Sequence, residues 1–217
     1  MLKLYDDELC GDSYKVRLML GLLGVPYRRE RIELYPSRQN RTQEFLAMSP
    51  LGRLPVLEAD GALLHDAHAI LVYLARRYGD AASGQAHWLP LDDPLQLARI
   101  QNWLGFAAQL SAMVFPLRDA VLHAQSAPRR LPDIGTNESR TLLRVLDETL
   151  WFNEAAATPF VCATSRPTIA DIACFVPVAL LDEAEIESID YPAFRRWSRR
   201  LKRLDGFTTM VGVYAAV

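Results

Sequence analysis

Cysteine is scarce in this chain. Three residues in 217, an odd and low count, argue against a disulfide framework and fit a reducing cytoplasm. Long apolar runs are lacking as well: nothing approaches the roughly 18 consecutive apolar residues of a membrane span. Met1 to Tyr5 leads straight into Asp6-Asp7-Glu8, with no positively flanked apolar stretch of secretory type. Neither sign of charge dominates, since 24 basic against 26 acidic residues leave a net charge of −2 and a pI near 6.1. That balance supplies no basic face for nucleic acid. Histidine is sparse too, and His65, His68, His87 and His123 lack ligand spacing with cysteine or carboxylate, which argues against a metal site. What is present is a chain half apolar by residue, long enough to bury one large core or two small ones.

The most informative stretch runs from Ser49 to Leu57, Ser-Pro-Leu-Gly-Arg-Leu-Pro-Val-Leu. Proline has no N–H to donate to a ladder, so Pro55 marks the opening of a strand, and the bond before it is a candidate for cis geometry. Such a strand leaves the backbone N–H and C=O of Leu54 free for an extended peptide. Asp60-Gly61 between apolar runs reads as a hairpin turn. Asp66 then falls where a carboxylate caps a helix.

Around this stretch the chain alternates strand and helix. Leu2 to Tyr5 reads as a short strand, Ser13 to Leu23 as a helix stopped by Gly24 and Pro26, and Tyr27 to Leu34 as a half-buried strand. Gln43 to Met48 has room for one or two helical turns, and strands at Val56 and Leu63 precede a helix from Asp66 to Tyr78. This order suits a small mixed sheet with helices on both faces. Gly79 to Gln85 is a linker candidate, and beyond it the pattern is helical. Leu97, Ile100, Leu104, Ala107, Ser111 and Val114 trace one face of a long helix; Ala124 to Gly135 reads as a loop. Leu142, Leu146 and Leu150 step along a second helix. Ile172, Phe175 and Ala179 follow on a third, then Phe194, Trp197 and Leu201 on a last one. Thr168-Ile169-Ala170-Asp171 has the form of a capping box.

In order and spacing, several segments together resemble the cytosolic glutathione transferases, and a bacterial-type member in particular. They are Leu4-Tyr5, Cys10 to Leu20 with Gly24-Val25-Pro26-Tyr27, Glu44-Phe45-Leu46, the proline-led stretch with its hairpin, and Pro167 to Ala173. The resemblance covers nearly the whole chain. It implies an N-terminal thioredoxin-like domain with a mixed α/β sheet (1–80, binding glutathione), followed by an all-helical domain (88–217, holding the acceptor substrate). It also implies a cytoplasmic homodimer that conjugates glutathione, its co-substrate, to electrophilic small molecules, as in detoxification. A glutathione-dependent isomerase, peroxidase or disulfide reductase, and a non-catalytic regulatory protein of the same fold, are the alternatives.

Cys10 is the sharpest catalytic candidate. It follows the first strand and precedes a helix, where the dipole and unpaired N–H groups lower a thiol's pKa. The crowded carboxylates Asp6, Asp7, Glu8 and Asp12 oppose a thiolate and favour a neutral S–H donor. By the resemblance this position faces the glutathione sulfur, as a hydrogen-bond donor or as a nucleophile. Ser13 is the second catalytic candidate and otherwise caps or opens the helix; Tyr5 is a third, otherwise packed at a sheet edge. Lys15 and Arg17 read first as solvated charges. The resemblance assigns glutathione to Leu54, Pro55, Asp66 and Ala67, with Asn40 and Arg53 at the glycine end. Ala67 departs from the family's Ser or Thr and removes a donor from the γ-glutamyl carboxylate. Cys162 and Cys174 read as core residues, while Trp103, Phe106 and Phe115 are candidates for an acceptor pocket.

Overall fold

A computed structural model describes residues 1–79, 84, 86–123 and 137–216. Four strands, β1 (Leu2–Asp6), β2 (Tyr27–Arg31), β3 (Val56–Ala59) and β4 (Ala62–His65), form one sheet in the order β2-β1-β3-β4. β1 runs parallel to β2 and antiparallel to β3, and β3 and β4 form a hairpin that pairs Ala59 with Ala62. Its two turn residues, Asp60 and Gly61, both have positive φ (50° and 81°). This is the mirror-image turn whose twist matches the strands, and the Asp-Gly pair suits it because glycine adopts that region without steric cost.

Alternation along the strands builds two cores. Leu2 and Leu4 of β1 and Leu57 and Ala59 of β3 face the helices α1 (Gly11–Leu23) and α3 (Ala67–Tyr78). Tyr5 and Val56 point to the other face, where they meet Phe45 of α2 (Gln43–Met48) and Leu54. β1 is therefore an interior strand, so Tyr5 is not at an edge as expected; its hydroxyl instead donates to Glu58 Oε2 at 3.1 Å. The bond before Pro55 is cis, as the strand opening suggests, and so is that before Pro36.

Helices follow: α4 (Pro94–Leu122), α5 (Asn137–Ala155), α6 (Ile169–Ala179) and α7 (Pro192–Leu201). α6 is apolar all round and buried against α4 and α1. The capping box at its start is present, and Asp171 does more than reach back to Thr168 N (2.8 Å). It also accepts from Val161 N (3.0 Å) and Trp197 Nε1 (2.9 Å), so it pins three segments together. On α4 the expected face holds from Ile100 to Val114, but Leu97 is exposed and Gln96 is buried instead, donating to the Cys162 carbonyl. Cys162 and Cys174 are core residues as expected. Most of the linker and all of the loop 124–135 lie outside the described residues. Among the described residues no helix is long and apolar enough to cross a membrane.

The chain's last segment returns to its first helix. Tyr14 donates to the Thr208 carbonyl at 2.6 Å, and a Cβ at Gly21 would come within 2.5 Å of the Gly206 carbonyl oxygen. Only a residue without a side chain lets the two backbones approach this closely.

Candidate functional site

α1 begins at Gly11, so Cys10 is its N-cap, with φ −71° and ψ 118°; its carbonyl accepts from Tyr14 N. Ser13 is thus the third helical residue rather than the cap. It is fully buried, with its hydroxyl beside the Cys10 sulfur. The Cys10 side chain is partly exposed in a cleft of about 460 Å³. One wall comes from the turn itself, with Asp7, Leu9 and Asp12. A second comes from the segment after β2, with Leu34, Tyr35, Arg38, Asn40 and Arg41. The third is α4 with its C-cap, which present Phe115, Asp119 and His123 at intervals of four along one face. Tyr35 and His123 stack with ring centroids 4.2 Å apart and so join the last two walls. Gly11 makes room for Phe115, whose ring lies 2.6 Å from where a Cβ would stand.

The expected lowering of the Cys10 pKa does not occur. Burial first, then the charges of Asp12 and Asp119, push the thiol up from 9.0 to about 12; the Ser13 hydroxyl and N–H beside the sulfur act the other way without prevailing. Cys10 holds its proton at neutral pH. This is the S–H donor that the crowded carboxylates favour.

Lys15 and Arg17 are not solvated. Lys15 Nζ is buried against Asp12 (2.8 Å), Ser111 Oγ (2.8 Å) and His68 Nε2 (3.3 Å), with the Phe115 ring 5.2 Å away. Its partners come from α1, α3 and α4, so one cation ties the three helices together. Burial first, and this cation second, lower the His68 pKa to about 4. Arg17 pairs with the buried Asp6 and donates to the Asp7 and Glu8 carbonyls.

Of the residues expected to hold a peptide, Leu54 is buried in the cluster that packs against Cys10. It lies just outside the ladder and makes no backbone hydrogen bond among the described residues. Asp66 caps α3 through Oδ1, which accepts from His68 N and Ala69 N, and has φ 79°. Ala67, the first helical residue, is buried. Asn40 lines the cleft, with its amide tied to the Gly52 carbonyl at 2.7 Å. Arg53 is exposed and does not line it. Arg38 and Arg41 do, and sequence reasoning missed both. Neither has a carboxylate partner among the described residues, and Arg38 sits at φ 52°. Of the three acceptor-pocket aromatics only Phe115 reaches the cleft; Trp103 and Phe106 pack on each other at 4.9 Å and on the core.

The glutathione S-transferase N-terminal domain matches residues 9–77. A maleylacetoacetate isomerase from Pseudomonas aeruginosa is 36% identical over 121 residues, 55% of this chain and 53% of that protein. One from Rhizobium meliloti is 30% identical over 181 residues, 80% of this chain and 78% of that protein. A solved structure of a possible glutathione S-transferase from Rhodopseudomonas palustris superposes with a TM-score of 0.78 at 30% identity, covering 96% of this chain and 97% of that one. With residues 9–77 matched at domain level and a relative 30% identical aligned over 78% of its own length, the chain belongs to the glutathione S-transferase family.

Proposed function

We propose that the protein is a glutathione transferase, joining reduced glutathione through sulfur to an electrophilic small molecule. The observation that carries this reading is a neutral Cys10 thiol at the start of α1, in a cleft bounded on its far side by α4. Glutathione would extend along Leu54 and Pro55. Its γ-glutamyl end would meet Asp66 and the first N–H groups of α3, and its glycine carboxylate would meet Asn40, Arg38 and Arg41. Its sulfur would then face Cys10. Burial and nearby carboxylates resist a second anion on Cys10, so the proton stays there and is donated in a hydrogen bond to the glutathione thiolate. The thiolate attacks the electrophilic carbon, a C–S bond forms as the leaving group departs, and the proton first lost from glutathione passes to water. Holding both reactants in one cleft supplies much of the rate. In this reading residues 1–80 bind glutathione and 88–217 hold the acceptor, in the cytoplasm and without a metal.

The working unit is a homodimer. The exposed Val72 of α3 and Leu95 and Leu97 of α4 give it apolar surface to cover, and light scattering at micromolar concentration should return twice 24.4 kDa. A second reading, a glutathione-dependent isomerase, is favoured by the names of the two relatives and by Arg38 and Arg41, which have no carboxylate partner among the described residues and suit an acidic acceptor. Turnover of 1-chloro-2,4-dinitrobenzene against isomerisation of maleylacetoacetate, each with and without glutathione, tests both. Activity in neither assay, with no retention on immobilised glutathione, refutes both and leaves the regulatory alternative.

A further inference from the structure

The turn that delivers Cys10 has three successive carbonyls, those of Asp7, Glu8 and Leu9, and each is taken by a buried guanidinium. Arg17 of α1 donates Nη1 to Asp7 (3.0 Å) and Nη2 to Glu8 (2.9 Å). Arg118 of α4 donates Nη1 to Leu9. Each arginine is neutralised by a carboxylate, Arg17 by Asp6 and Arg118 by Glu183 in the 3₁₀ turn Asp182–Ala184. Arg118 is 1% exposed, and its Nη2 is buried with no partner among the described residues. A buried guanidinium with one donor group unmet is unfavourable in itself. It is retained at a position where it grips the Leu9–Cys10 peptide, whose N–H donates to the Asp7 carbonyl at 3.2 Å.

We propose that Arg118 is a positioning residue that sets the register of Cys10 against α4. Cys10 is the N-cap, so the orientation of this peptide fixes where its sulfur leaves the start of α1. The same α4, with its C-cap His123, supplies Phe115 and Asp119 to the opposite wall of the cleft. One guanidinium therefore holds the two walls at a set spacing. Arg17 fastens the same turn from within α1, so losing Arg118 leaves the turn formed but adrift from α4. The proposal rests on the reading of Cys10 as the group that faces the glutathione sulfur.

The test uses the full chain with Arg118→Lys, whose single ammonium cannot span both Glu183 and Leu9, and with Glu183→Gln, which keeps an acceptor for Nε and removes the charge. Two quantities are read below each variant's melting temperature. One is kcat and KM for glutathione with 1-chloro-2,4-dinitrobenzene; the other is the rate of iodoacetamide alkylation at Cys10, resolved by mass spectrometry. Arg118→Lys should lower kcat by about 10- to 100-fold, the scale expected for a misplacement near 1 Å. KM for glutathione should stay within about threefold, and Cys10 alkylation should accelerate as its turn loosens. Glu183→Gln should move both in the same direction by less, and it carries the test if Arg118→Lys does not fold. Wild-type alkylation of Cys10 in the folded variants overturns the proposal, whether or not kcat has fallen. If the wild-type protein shows no transferase activity, the functional reading fails, while the alkylation rates still decide the role of Arg118.

Discussion

Cys10 should be a slow nucleophile, and the structure says how slow. Its pKa of about 12, against 9.0 for an unperturbed thiol, leaves about a thousandfold less thiolate at neutral pH. A more basic thiolate is intrinsically more nucleophilic, and a Brønsted slope of about 0.4–0.5 over three pKa units returns a factor of about 15–30. The net expectation is alkylation about 30- to 60-fold slower than that of an unperturbed thiol, from protonation alone. Restricted access to a partly buried sulfur slows it further. Iodoacetamide labelling at pH 7.4, resolved to Cys10 by mass spectrometry and referenced to a cysteine peptide, gives the ratio directly. The rate should keep climbing tenfold per pH unit through pH 9, with no plateau. Labelling as fast as the peptide, or a plateau below pH 8, would refute the reasoning: Cys10 would then be a thiolate, and Cys10→Ser should abolish thiol exchange. If the reasoning holds, Cys10→Ser keeps most transferase activity, because a hydroxyl donates at similar reach.

Further outcomes follow from other residues. Asp171→Asn turns its NH2 towards Thr168, whose hydroxyl can rotate to accept but whose backbone N–H is left unmet; one buried unmet donor at about 1–3 kcal/mol should lower Tm by about 2–12 °C, read by calorimetry. His68 has its folded pKa depressed from 6.5 to about 4, so its contribution is present above pH 6.5 and is lost as pH falls towards 4. Urea titrations should show wild type losing about 3 kcal/mol more than His68→Gln across that window, and parallel pH profiles would contradict this. Gly11→Ala drives a methyl into the Phe115 ring and should lower kcat/KM, with partial recovery in the double variant carrying Phe115→Leu. Ala67→Ser should tighten glutathione binding by about tenfold in calorimetric titration, and equal dissociation constants would mean that other groups already hold the carboxylate.

Local signals were legible in the sequence and long-range ones were not. The proline-led strand, the Asp60-Gly61 turn, the caps at Asp66 and Thr168 and the position of Cys10 before α1 depend on neighbours within four residues. Each stands where the pattern indicates. Lys15 reads as a surface charge because only Asp12 is close to it in sequence; Ser111 and His68, which complete its shell, lie 96 and 53 residues away. Arg118 was invisible for the same reason, since it spends its donors on a backbone carbonyl 109 residues away and on Glu183. The neutral Cys10 thiol was legible from the carboxylates beside it, but its main cause, burial, was not, because it depends on packing against α2 and on walls brought in from the segment after β2 and from α4. Arg38 and Arg41 displaced Arg53 at the cleft because their segment folds towards Cys10, and nothing in a loop's composition announces its direction.

The contact between the chain's last segment and α1 bears on synthesis. Tyr14 leaves the ribosome early, yet the carbonyl that receives its hydroxyl belongs to Thr208, 194 residues later. The groove beside Gly21 is likewise filled by Gly206 and Thr208. Until residues 206–208 have been made and have emerged from the exit tunnel, the helix that carries the Cys10 turn stands with one flank uncovered. The order of translation thus sets the order of completion: the first helix made waits for residues up to 194 positions later, and a chain cut short before Gly206 would leave it open for good.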